Sequence, residues 1–128
     1  MHQITVQRVV SAAHAIRLYD GSLEPLHGHD WRIDVTVQAE QLDAIDVVMD
    51  FHALERMVDT LLDAVRNGNF NEVAPFAGDG SHGLAINPTA ERVAQWVGES
   101  VIAQLPDGAS LAEVRVGESP GCVATWRP

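Results

Sequence analysis

His27 and His29 flank a single glycine at the point where an irregular, polar stretch turns into a clean alternation. In "LEPLHGHDWRIDVTV" (Leu23 to Val37), Trp31, Ile33, Val35 and Val37 alternate with Arg32, Asp34 and Thr36, the period-2 signature of a half-buried strand. Residues two apart on a strand share a face, so both imidazoles extend its apolar side. Such a pair can close on one metal ion, and Gly28 leaves the opposite face open and the backbone free to bend. A third candidate, His14, ends the first strand in "SAAHAI". A hairpin between the first two strands would bring it to the pair. Three neutral imidazoles with one open position is the pattern of catalytic zinc. A structural zinc is closed by four protein ligands, usually including Cys, and Cys122 is the sole cysteine. The competing reading is that strand histidines are partly buried polar groups with ordinary partners.

Two carboxylates stand out for the same reason. In "AEVRVGE", Ala112, Val114, Val116 and Glu118 share a parity, so Glu118 extends an apolar face. Either the strand ends before it and the side chain reaches water, or Glu118 is a buried acceptor for a ligand with adjacent N–H groups. Glu24 lies three residues before His27, in the loop entering the histidine strand. There it is either a solvated loop residue or a general base beside the metal. His2 is terminal and His52 falls in the first turn of a helix. His82 sits in a glycine-rich loop and is a candidate for a direct role.

The elements that must position these groups are legible in outline. Gln3 to Ala13 is rich in β-branched residues and predicts a strand, and Gly28 to Glu40 predicts a second. Asp50 to Val65 predicts a helix capped by Asp50, with Leu54, Met57, Val58, Leu61, Leu62 and Val65 in one apolar stripe. Asn67 to Ile86 is rich in Gly and Asn and is expected to lack clear structure. Asn87 to Leu105 predicts a second helix, with Asn87 as cap and Pro88 at its first position. "LAEVRVGE" and "CVATW" read as two closing strands around Ser119-Pro120-Gly121. The order β-β-α-α-β-β predicts an α+β domain spanning residues 1–128: a four-stranded antiparallel sheet with both helices on one face.

Composition narrows the partners. The chain has 128 residues, no lysine, eight arginines and a formal net charge of −10. That charge repels phosphate polymers, so neither nucleic acid nor an anionic membrane is an expected partner. A few arginines can still form a local site for a small phosphorylated ligand. No apolar run approaches the roughly 20 residues that cross a bilayer, and "MHQITVQRVV" lacks the basic start and apolar run of a signal peptide. The expected location is the cytoplasm.

Five segments in order, "SAAH", "LHGHDW", "VVMDF", "NPTAERVA" and "VGESPGC", span Ser11 to Cys122. Together they resemble the 6-pyruvoyl-tetrahydropterin synthase and 6-carboxytetrahydropterin synthase family. The resemblance implies the tunnelling fold, in which sheets of three subunits join into a β-barrel and two trimers stack into a hexamer. It implies Zn²⁺ held by His14, His27 and His29, with Glu118 anchoring a pterin ring through its N–H groups. The implied substrate is 7,8-dihydroneopterin triphosphate.

Two family features are absent from their usual places. The catalytic cysteine of C-x-x-x-H-G-H is Leu23 here, and the Asp-His after the first helix is replaced by Arg66 and Asn67. The chain is more similar to the branch with a glutamate placed as in "LEPLHGH", whose members form 6-hydroxymethyl-7,8-dihydropterin. That similarity implies Glu24 as the base, with His82 from the long loop as a candidate replacement for the Asp-His. The alternatives are a 6-carboxytetrahydropterin synthase of queuosine-type pathways, a 6-pyruvoyl-tetrahydropterin synthase, or a zinc- and pterin-binding protein without turnover.

Overall fold

A computed structural model describes residues 1–79 and 83–128. The first two strands, β1 (His2–His14) and β2 (His27–Ala39), pair antiparallel without a break from His2↔Ala39 to His14↔His27. After them come α1 (Phe51–Leu62), a two-residue β3 (Gly68–Asn69), a 3₁₀ turn (Phe70–Glu72), α2 (Ala90–Ile102), β4 (Ser110–Ser119) and β5 (Cys122–Trp126). The sheet order is β3-β1-β2-β4-β5. The α+β class and the order of the main elements are as the sequence predicts.

The core fills one face of the sheet. Trp31, Ile33, Val35 and Val37 of β2 are wholly buried, together with Leu54, Val58 and Leu62 of α1 and Val93, Ala94, Val97 and Val101 of α2. These are the residues that period 2 and period 3.6 place on the apolar faces. The opposite sheet face is polar, with the side chains of Gln3 and Gln38, and of Thr5 and Thr36, hydrogen-bonded across β1 and β2. Gly98 of α2 lies so close to Trp126 that a Cβ there would stand 2.4 Å from the indole.

Four details differ from the sequence expectation. The four-stranded antiparallel sheet has a fifth strand, because Asn67, at φ 54°, donates its N–H to Ser11 O and turns the chain parallel to β1. The described part of the Asn67–Ile86 stretch is built rather than structureless, since Phe70, Phe76 and Leu84 are buried and Phe70 stacks edge-on against Trp31, Phe76 and Trp96. The second helix begins at Ala90 and its cap is Thr89, whose hydroxyl accepts from Arg92 N–H. Asn87 is engaged elsewhere, with the backbone of Arg17. Finally, a bulge in the pairing of β2 with β4 leaves Ala112 unpaired, so Leu111 takes the core position that strict alternation gives to Ala112.

Candidate metal and substrate site

The β1–β2 register sets His14 directly opposite His27 and Ala12 opposite His29. His14 Nε2 lies 3.1 Å from His27 Nε2 and 3.2 Å from His29 Nε2. The three rings pack edge to face, and Trp31 supports two of them, with ring centroids 4.8 Å from His14 and 5.4 Å from His29. Trp31 is itself held by an indole N–H donated to Ala12 O. The apolar strand face therefore continues into a rigid platform under the imidazoles.

Second partners fix the tautomers. His14 Nδ1 is 2.7 Å from Pro88 O, and His27 Nδ1 is 2.8 Å from Pro25 O. A carbonyl oxygen only accepts, so each Nδ1 carries a proton, which in the neutral ring leaves Nε2 with a lone pair. In the neutral rings, two lone pairs facing each other at 3.1 Å repel unless a proton or a metal cation lies between them. Nitrogens on a tetrahedral zinc, with Zn–N of about 2.0–2.1 Å, stand roughly 3.3 Å apart. The donor set therefore fits a metal ion, and Nδ1–H to carbonyl is the usual outer support of a metal-binding histidine. Burial, as the largest influence, lowers the pKa of His14 below the ordinary histidine value and favours the neutral ring that ligates.

The carboxylates stand around this centre. Glu118 sets Oε1 3.9 Å from His14 Nε2 and Oε2 3.9 Å from His29 Nε2. It occupies a bulge in the pairing of β4 with β5, between Gly117↔Val123 and Ser119↔Cys122. Its parity with the buried Val114 and Val116 turns Glu118 to the histidine side, and the side chain stays part-exposed. Glu24 sets Oε1 4.0 Å from His27 Nε2. The same oxygen accepts from Ile16 N–H at 3.0 Å, so the carboxylate is held rather than free.

Glu118 lines two of the cavities that open on the centre. One, of about 530 Å³, is lined by His14, His27, Glu24, Glu91 and Cys122 as well. The other, of about 670 Å³, includes His29, Arg32 and Arg115. The structure thus brings together His14, His27, His29, Glu24 and Glu118. His82 lies outside the described residues. Arg66 reaches Asp63 instead of the centre. Sequence reasoning missed the roles of Asn71, Asn87 and the carbonyls of Pro25 and Pro88. Cys122, exposed in the final hairpin, borders the cavity that holds Glu24.

Fold and site together define an α+β protein with a trihistidine, metal-type centre walled by two glutamates. Residues 3–128 match the family described as 6-pyruvoyl tetrahydropterin synthase, and the chain belongs to that family. The dihydroneopterin monophosphate aldolase of Pyrococcus furiosus is 30% identical over 107 residues, covering 84% of this chain and 81% of the relative. The 6-carboxy-5,6,7,8-tetrahydropterin synthase of Bacillus subtilis is 29% identical, covering 93% of this chain and 80% of the relative. Among solved structures, a Plasmodium vivax 6-pyruvoyltetrahydropterin synthase carrying a Glu-to-Ala change at a catalytic residue superposes with a TM-score of 0.74. It is 16% identical and the match covers 99% of this chain and 97% of that one, which establishes a shared fold.

Proposed function

We propose that this chain is a zinc-dependent lyase that cleaves the side chain of 7,8-dihydroneopterin triphosphate to give 6-hydroxymethyl-7,8-dihydropterin. The observation that carries this reading is Glu24, a held carboxylate 4.0 Å from a histidine of the cluster, in a chain with no cysteine at that place. A relative named as an aldolase of dihydroneopterin monophosphate, and a structural neighbour whose catalytic residue is a glutamate, support it.

His14, His27 and His29 hold Zn²⁺ through Nε2. When bound, the ion supplies a Lewis acid that polarises the hydroxyls of the substrate's side chain. Glu24 accepts the proton of the second side-chain hydroxyl. The bond between the first and second side-chain carbons breaks, the second carbon leaves as an aldehyde, and the first takes a proton to become hydroxymethyl. Glu118 accepts hydrogen bonds from the pterin N–H groups and fixes the ring. The phosphates require positive charge, and Arg32 and Arg115 border the larger cavity. His82 serves as an additional proton carrier from the loop. Residues 1–128 act as one domain in the cytoplasm, and the sheets of three copies join into a barrel, with two trimers forming a hexamer that covers the sheet edges. Among the described residues no helix is long and apolar enough to cross a membrane.

The Bacillus relative favours a second reading, a 6-carboxytetrahydropterin synthase on the same centre. Identification of the pterin formed from dihydroneopterin triphosphate, and from its monophosphate, by zinc-loaded protein separates the two.

A further inference from the structure

We propose that Asn87 is a positioning residue for the histidine centre, acting through the Pro88 carbonyl and through the segment that joins His14 to Glu24. The inference rests on reading the three histidines as metal ligands. Immediately after His14, three consecutive residues have both backbone groups taken by one partner each. Asn71 Oδ1 accepts from Ala15 N–H at 2.9 Å and Asn71 Nδ2 donates to Ala15 O at 2.7 Å. Ile16 donates to Glu24 Oε1 and accepts from Glu24 N–H, both at 3.0 Å. Arg17 donates to Asn87 Oδ1 at 2.7 Å and accepts from Asn87 Nδ2 at 2.9 Å. The two asparagines act as a side-chain strand flanking the residue that holds Glu24.

Only one of them is also joined to a ligand ring. Pro88 O, the next carbonyl after Asn87, accepts from His14 Nδ1. Asn87 O accepts from Thr89 N–H at 2.9 Å, which closes a tight turn around Pro88. Thr89 caps α2, whose Val93, Ala94, Val97 and Val101 are buried in the core. The Asn87-Pro88 dipeptide is therefore a post on the helix end. Its carbonyl orients His14, and its side chain holds the loop bearing Glu24. Loss of the Asn87 amide removes both of its bonds to the Arg17 backbone and loosens the post from the loop. The expected consequence is a misdirected His14 lone pair. Asn71 makes the same two kinds of bond, to Ala15, but its following carbonyl holds no ligand ring as Pro88 O does, so it is the internal comparison.

The test is Co²⁺ titration of the full-length apo-protein, read by visible absorption, beside thermal melts of wild type, Asn87→Ala, Asn71→Ala and Asn87→Asp. Both alanine variants should lose comparable thermal stability. Asn87→Ala should bind Co²⁺ about tenfold more weakly with an altered band shape, the scale of an outer-shell change, and Asn71→Ala should stay within about threefold of wild type. Wild-type affinity in Asn87→Ala, or equal weakening in Asn71→Ala, overturns the proposal. If Asn87→Ala does not fold, Asn87→Asp is read instead. It keeps the acceptor for Arg17 N–H but not the donor to Arg17 O, so weakened binding supports the proposal and wild-type binding overturns it. Failure of the wild type itself to bind Co²⁺ overturns the ligand reading, and the proposal with it.

Discussion

Glu24 Oε1 lies 4.0 Å from His27 Nε2 while accepting the N–H of Ile16. One carboxylate oxygen is thus both anchored and placed at the edge of the histidine cluster, and among the described residues the second oxygen takes no hydrogen bond. A general base needs this combination of fixed position and free acceptor capacity.

Replacing Glu24 with Gln keeps the shape and the acceptor for Ile16 but removes the base. We expect turnover to fall by about 10²–10⁴-fold, the usual contribution of a positioned base, with little change in metal affinity. Steady-state rates beside a Co²⁺ titration check this; unchanged turnover removes Glu24 from the mechanism.

The histidines should behave as a set. His14→Ala deletes the buried ligand at the junction of the other two, so Zn²⁺ affinity should fall by more than the roughly 10–100-fold typical of outer-shell changes. Competition with a chromogenic chelator measures it. A variant that retains the ion with wild-type affinity contradicts the assignment.

Much of this centre was legible in advance because a strand's period of 2 encodes its faces directly. His27, His29 and Trp31 share a side for the same reason that Ile33 and Val35 do. His14 followed from the hairpin. What was hidden is non-local. Glu118 is foreshadowed by its parity with Val114 and Val116, but no local pattern announces the register shift beside Gly117 that leaves it unpaired. Asn87 reads as a helix cap beside Pro88, yet its partner is Arg17, 70 residues away. The buried turns after α1 depend on Phe70 and Phe76 finding Trp31 and Trp96, contacts between segments distant in the chain.

The fold offers its own test at Gly98. A methyl group there meets the Trp126 ring at 2.4–2.5 Å and Leu111 at 3.1 Å. Gly98→Ala should destabilise the protein by about 1–3 kcal/mol, as overpacking does, despite the better helix propensity of alanine. Urea unfolding gives the value, and an equally stable variant would refute the close packing of α2 on β5.

Arg8 sits on the core side of β1 and its guanidinium bonds Glu55 and Asp59 of α1. The hydrogen bond from Arg8, then that from His52, lowers the pKa of Glu55 below the ordinary glutamate value. A depressed folded-state pKa gives stability that is present above the unfolded pKa and is lost as pH falls through the folded one. Glu55→Gln should therefore be less stable than wild type at neutral pH, and the gap should close below the usual glutamate range. Urea midpoints across that pH range check it; a gap that persists in acid assigns it to something other than charge.

Carbon–carbon cleavage of a pterin side chain is the reaction proposed for this histidine–glutamate centre. The most direct measurement is incubation of zinc-loaded protein with 7,8-dihydroneopterin triphosphate, with the pterin product and the released fragment identified by mass. The expected products are 6-hydroxymethyl-7,8-dihydropterin and a phosphorylated two-carbon aldehyde, both absent with Glu24→Gln. A carboxy- or pyruvoyl-pterin, or substrate recovered unchanged, would contradict that proposal.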